Sequence, residues 1–120
     1  MADWKLGVVE SRFANLIWQN EPVSTAELVK LCEAELEWKR TTTYTVLKRL
    51  SDRGLFQNEE GVVTACISRD EFYARQSEQV VEESFSGSLP AFVAAFTARK
   101  NLTAAEVAEI RRLIDTYEEV

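Results

Sequence analysis

The stretch Arg40-Thr41-Thr42-Thr43-Tyr44-Thr45-Val46-Leu47-Lys48-Arg49-Leu50-Ser51-Asp52-Arg53-Gly54 constrains the chain more than any other, because it reads as a helix with two unlike faces. Thr43, Val46, Leu47 and Leu50 recur at i, i+3, i+4 and i+7, the spacing that puts four side chains on one side of a helix and lets that side seat on a core. The opposite side carries Thr42, Tyr44, Thr45, Lys48 and Arg49, with Lys39, Arg40 and Arg53 at the ends. Long cations reach phosphates or guanine edges, and short hydroxyls and methyls sit against base edges, so this face has what a major-groove reader needs. Gly54 is expected to close the helix, since glycine tolerates the left-handed conformation found just past a helix end. A Lys/Arg-bearing face is more often simply solvated, so the neighbouring elements must decide.

Those neighbours support a reading helix. Val9, Phe13, Leu16 and Ile17 predict a first helix over Val8–Gln19, stopped by Asn20-Glu21-Pro22 because the residue before proline avoids the helical region. Val23-Ser24-Thr25-Ala26-Glu27-Leu28 is a helix-start signal: Ser24 caps, Glu27 completes the box and Val23 staples onto Leu28. This second helix is expected to run to about Glu35, with a short turn through Trp38 and Lys39 leading into the third. After Gly54, two β-prone runs, Leu55–Asn58 and Val62–Ile67, flank Glu59-Glu60-Gly61 and read as a hairpin. Three helices followed by a hairpin is the order of a winged helix-turn-helix, whose third helix enters the major groove.

The remainder is helical. Ile67-Ser68-Arg69-Asp70-Glu71-Phe72 repeats the start signal and predicts a helix to about Glu83; Ser84–Pro90 is a break, and Ala91–Ala98 a short apolar helix. Leu102-Thr103-Ala104-Ala105-Glu106-Val107 opens a last helix with Val107, Ile110, Leu113, Ile114 and Tyr117 on one stripe. This region is too small to hold a core of its own, so its stripes, with Phe92 and Phe96, are expected to pair with a second copy of the chain; the alternative is that these helices fold back on the winged helix of the same chain. The expected fold is mainly α with a small β-hairpin: a winged helix-turn-helix DNA-binding domain over 1–68 and a helical dimerisation domain over 69–120.

Composition bears on function through charge. The chain carries −6 overall, which argues against nucleic acid if taken globally, but Lys39–Arg53 holds five cations against Asp52 alone. With an acidic remainder, DNA binding is expected to be strongly salt-dependent. There is no histidine, no Gly-x-Ser-x-Gly and no phosphate-cradling glycine loop, so an enzyme is not expected. Cys32 and Cys66 are too few for a zinc site and read as small buried residues; neither metal nor cofactor is expected. No apolar run approaches the length of a membrane span and no signal peptide follows Met1–Leu6, so the expected location is the cytoplasm, without membrane insertion.

Trp38 through Leu55 resembles the recognition-helix signature of the penicillinase repressor family, bacterial regulators of β-lactamase, methicillin-resistance and copper-transport operons. Leu16-Ile17-Trp18 is similar to the end of that family's first helix. Phe85-Ser86-Gly87-Ser88, Phe92, Phe96, Asn101-Leu102-Thr103 and Ile110–Ile114 are similar to its dimerisation region. The resemblance implies a homodimeric repressor on double-stranded, palindromic operator DNA with TACA/TGTA-like half-sites. It implies that Thr42, Tyr44, Thr45 and Lys48 face the groove and that Arg49 and Arg40 hold phosphate or guanine. It further implies derepression by cleavage at the bond matching Ala95–Phe96, by a membrane sensor-protease or another activating protease. The family's cut site carries Asn where this chain has Ala95. The copper branch's Cys-x-Cys tail is absent from Tyr117–Val120, and the wing is acidic at Glu59 and Glu60. The alternative reading is a winged-helix protein–protein interaction module without specific DNA binding.

Overall fold

The computed structural model describes residues 4–119. Among the described residues, six helices and three short strands follow one another as α1 (Val8–Asn20), β1 (Val23–Ser24), α2 (Thr25–Leu36), α3 (Arg40–Asp52), β2 (Phe56–Glu59), β3 (Val62–Ala65), α4 (Arg69–Phe85), α5 (Leu89–Arg99) and α6 (Ala104–Asp115). The chain divides into two compact units, Met1–Gln79 and Val80–Val120.

The first unit is a winged helix-turn-helix. Its core takes Phe13, Ala14 and Ile17 from α1, Leu28 and Cys32 from α2, Val46, Leu47 and Leu50 from α3, Leu55, Phe56 and Val63 from the sheet region, and Phe72 from α4. Thr43 is buried with them. Val9, expected on the core face of α1, is exposed, and Ala14 takes a place inside instead. Val9 stands in the first turn of α1 and outside the core cluster, so period alone overextends the stripe.

The hairpin closes through Glu60 and Gly61, both at positive φ (52° and 84°), which is the two-residue turn whose twist suits antiparallel strands. The Asn58 side-chain oxygen accepts from the Gly61 N–H at 3.1 Å and steadies the turn. A third strand joins: Val23 and Ser24 pair antiparallel with Val63 and Val62, giving the order β1-β3-β2. The sequence reading used these two residues only as staple and cap. A two-residue strand has no alternation to read, and its partner lies far along the chain. β3 ends at Ala65, short of the expected Ile67; Cys66 lies past the ladder and is exposed, not buried as read from sequence. Cys32 is buried, and that burial raises its thiol pKa, partly offset by a hydrogen bond with the Thr43 side chain.

The serine caps follow the sequence, but among the described residues neither Glu27 nor Glu71 returns a bond to its cap residue, so the reciprocal boxes expected at α2 and α4 do not form. The Ser24 hydroxyl accepts from the Glu27 N–H at 3.1 Å, and Thr103 and Glu106 form a complete reciprocal box at α6. Ser24→Ala is expected to cost about 1 kcal/mol of stability, read as a lower urea midpoint with unchanged slope.

In the second unit no described residue between 80 and 119 is buried. Phe85 meets Phe92 edge-on at 5.5 Å, and Phe92 stacks with Phe96 at 6.3 Å. Around these rings the apolar faces of α5 and α6 stay open: Leu89, Val93, Phe96, Ile110, Leu113 and Ile114 are all exposed. α6 stops at Asp115, where the Thr116 hydroxyl turns back onto the Arg112 carbonyl at 2.8 Å. Tyr117, expected on the helical stripe, therefore follows the helix end.

Candidate nucleic-acid interface

α2, the turn Glu37–Lys39 and α3 form the helix-turn-helix. Glu37 takes the left-handed conformation (φ 55°) that turns the chain, and the Trp38 N–H reaches back to the Cys32 carbonyl at 3.2 Å. Trp38 then stacks on Phe13 at 5.3 Å, which anchors the start of α3 against α1. The far end is closed by two hydrogen bonds: the Gly54 N–H donates to the Ser51 carbonyl at 2.9 Å and the Leu55 N–H to the Leu50 carbonyl at 3.0 Å. With Gly54 at φ 86° and Leu50 and Leu55 both buried, this is the glycine-terminated helix end that the sequence led us to expect.

Fixed on one side by Thr43, Val46, Leu47 and Leu50, α3 turns Thr42, Tyr44, Thr45, Lys48 and Arg49 to the exterior, with Lys39 and Arg40 exposed at its start. Several of these side chains have protein partners. Lys48 pairs with Asp52 one turn on, at 2.9 Å between two well-exposed groups, a contact of little energetic weight. Arg49 Nη1 lies 3.3 Å from the Glu10 carboxylate on α1. The Thr45 hydroxyl donates to the Thr41 carbonyl at 2.8 Å, which leaves its methyl and an acceptor lone pair for a ligand. Arg40 sits over the Tyr44 ring, 5.6 Å from its centroid. A hydrogen bond with the Thr25 side chain, then the Arg40 guanidinium, lower the Tyr44 phenol pKa, with burial opposing. Lys39 and Arg40 have no carboxylate partner among the described residues.

Glu10 and Thr25 are the participants that sequence reasoning missed. Each meets its partner from another helix, at a separation for which helical periodicity carries no signal. The wing tip presents Glu59 and Glu60, both exposed.

The remaining predicted positions lie in the second unit. Ala95 and Phe96 fall inside α5, both exposed, and Phe92 and Val107 are half-buried. A protease that binds its substrate as extended chain reaches the Ala95–Phe96 bond only after α5 opens locally. Among the described residues no group of His, Cys, Asp and Glu is placed to hold a metal, and no helix is long and apolar enough to cross a membrane.

Residues 6–116 match the family described as Penicillinase repressor. Among curated proteins, the chain is 24% identical over 112 residues to the Penicillinase repressor of Bacillus licheniformis, covering 90% of this chain and 88% of that one. It is 17% identical over 116 residues to the Methicillin resistance regulatory protein MecI of Staphylococcus aureus, covering 93% of this chain and 94% of that one. With the matched span running from before α1 to just past α6, and a winged helix-turn-helix at its front, the chain belongs to the penicillinase repressor family.

Proposed function

We propose that this chain is a bacterial, cytoplasmic transcriptional repressor that binds a palindromic operator as a homodimer. The observation that carries the reading is α3 itself: four side chains lock it to the core, while the face opposite offers cations, hydroxyls and methyls to a groove. In a winged helix-turn-helix this is the helix that enters the major groove. Thr42, Tyr44, Thr45 and Lys48 address base edges of a TACA/TGTA-like half-site. Lys39, Arg40 and Arg49 hold phosphate or guanine. The apolar faces of α5 and α6 join two copies, so that the two reading helices meet half-sites about one DNA turn apart, roughly 34 Å. Cleavage at Ala95–Phe96 by an activating protease, such as a membrane sensor-protease, would break that dimerisation region and free the promoter.

The acidic wing favours a second reading, an interaction module that docks proteins rather than DNA, because Glu59 and Glu60 repel a phosphate backbone. A gel shift with DNA upstream of the chain's own gene separates the two, comparing wild type with Thr45→Ala/Arg49→Ala. The repressor reading expects a sequence-specific, salt-sensitive shift that the double variant loses. If Arg49 reads a base, Arg49→Ala alone weakens binding by about 1–3 kcal/mol at that site. If it touches only phosphate, the loss is similar on all sequences and the salt slope falls by about one. No specific shift, there or in a random-site selection, would favour the interaction module.

A further inference from the structure

We propose that Glu10 is a positioning residue for DNA readout: it holds the Arg49 guanidinium so that its remaining edge meets the operator in one geometry, and thereby sets sequence discrimination. The inference rests on the DNA-binding reading of α3.

Glu10 occupies the third position of α1, where a carboxylate can return to the N–H that precedes the helix. Its Oε1 accepts from the Gly7 N–H at 3.3 Å, and its Oε2 faces Arg49 Nη1 at 3.3 Å. Both oxygens are therefore engaged, and only 24% of the side chain is exposed. A carboxylate tied at one end to backbone cannot follow a moving guanidinium, so it defines where the guanidinium sits. Arg49 is 56% exposed, and its Nε and Nη2 have no partner among the described residues. A guanidinium is a planar fork of five donors; with one arm on Glu10, the others stay available for two parallel bonds to a guanine edge or a phosphate. Just past the end of α3, Arg53 Nη2 donates to the Lys5 carbonyl at 2.7 Å. The last turn of α3 is thus tied to the first turn of α1 through Glu10, and the residue that ends α3 is tied to the segment before α1 through Lys5, which holds this end of α3 in place.

A long side chain that is already ordered loses less freedom on binding than a free one, and it tolerates fewer wrong partners. Glu10 also lowers the net positive charge of the reading face, which depresses sequence-independent attraction to phosphate. Both effects push in one direction, toward discrimination between operator and other DNA.

Two other roles for the pair predict different results. A latch that merely competes with phosphate for Arg49 would weaken binding to every duplex equally. A staple for the fold would affect only stability. Glu10→Gln distinguishes them, because glutamine keeps an oxygen for the Gly7 N–H but loses the ion pair. Affinities for the operator and for a scrambled duplex of equal length are measured at several salt concentrations, for wild type, Glu10→Gln, Arg49→Ala and the double variant, with thermal midpoints alongside. The expected result is a fall of about tenfold in the operator-to-scrambled ratio for Glu10→Gln, with no further fall when Arg49 is already alanine. A ratio unchanged by Glu10→Gln overturns the inference, whether both affinities rise together or only the midpoint moves. Wild-type protein that does not distinguish operator from scrambled duplex overturns the DNA-binding reading itself, and the inference with it.

Discussion

Ile114→Glu is expected to leave the chain monomeric in solution and to lower operator affinity by roughly 100- to 10,000-fold. Ile114 is 65% exposed, on the stripe that also shows Ile110 and Leu113. α5 and α6 bury no side chain within the chain, so the contact energy that would fix them must come from elsewhere. In a two-fold interface each substitution is met twice, and two carboxylates would have to lose their water without a partner. The loss on DNA follows from linkage rather than from any contact to a base. In the proposed dimer the two α3 helices make the second half-site an intramolecular event, and that advantage, about two to four orders of magnitude, would disappear with the dimer. Light scattering or sedimentation at micromolar protein gives the mass, and the same preparation titrated with operator gives the affinity. A dimer mass in Ile114→Glu would remove the α6 stripe from the interface. A monomer that binds the full operator as tightly as wild type would remove dimerisation from the mechanism.

The parts of this fold that could be read from sequence are those written locally. The spacing of Thr43, Val46, Leu47 and Leu50 put all four in the core, and Gly54 stands at positive φ where α3 closes. Ser24, Ser68 and Thr103 each accept the backbone N–H three residues on, as their start signals implied. What sequence did not give was set by distant partners. β1 exists because Val23 and Ser24 find Val63 and Val62, and nothing in two residues announces a strand. Cys66 reads as a buried residue because it lies within the β-prone run Val62–Ile67, but the ladder ends one residue before it. The exposed face of α3 was legible from the helical period, since exposure is the complement of the buried stripe. Its internal pairing was not: Arg49 with Glu10 and Tyr44 with Thr25 each join two helices. For the outward face of α3 this distinction matters, because a free arginine and a held arginine read alike in sequence.

Phe72→Ala is expected to lower the stability of the first unit by about 3–5 kcal/mol, the range for deleting a buried aromatic ring. Phe72 is in the first turn of α4, at 0% exposure, with Trp4, Trp18 and Tyr73 around it at centroid distances of 5.8, 5.7 and 5.4 Å. Trp18 in turn packs on Phe56 at 5.5 Å and donates its indole N–H to the Ile67 carbonyl at 3.0 Å. One ring thus holds together the segment before α1, the end of α1 and the exit from the wing. Removing it leaves a cavity that neighbouring aromatics are too rigid to fill. Domains of this size are stable by about 5–15 kcal/mol in total, so a loss of this order consumes a large part of the margin. Tryptophan fluorescence in urea, at fixed protein concentration so that assembly does not shift the midpoint, reads the change, since Trp4 and Trp18 both border the site. Phe72→Leu, which refills most of the volume, is expected to recover much of it. The result also tests where the winged helix ends. A large loss makes the start of α4 an integral part of the winged helix; a loss under about 1 kcal/mol, well below the usual cost of a buried ring, would place the division at Ser68–Arg69, where the helix-start signal stands.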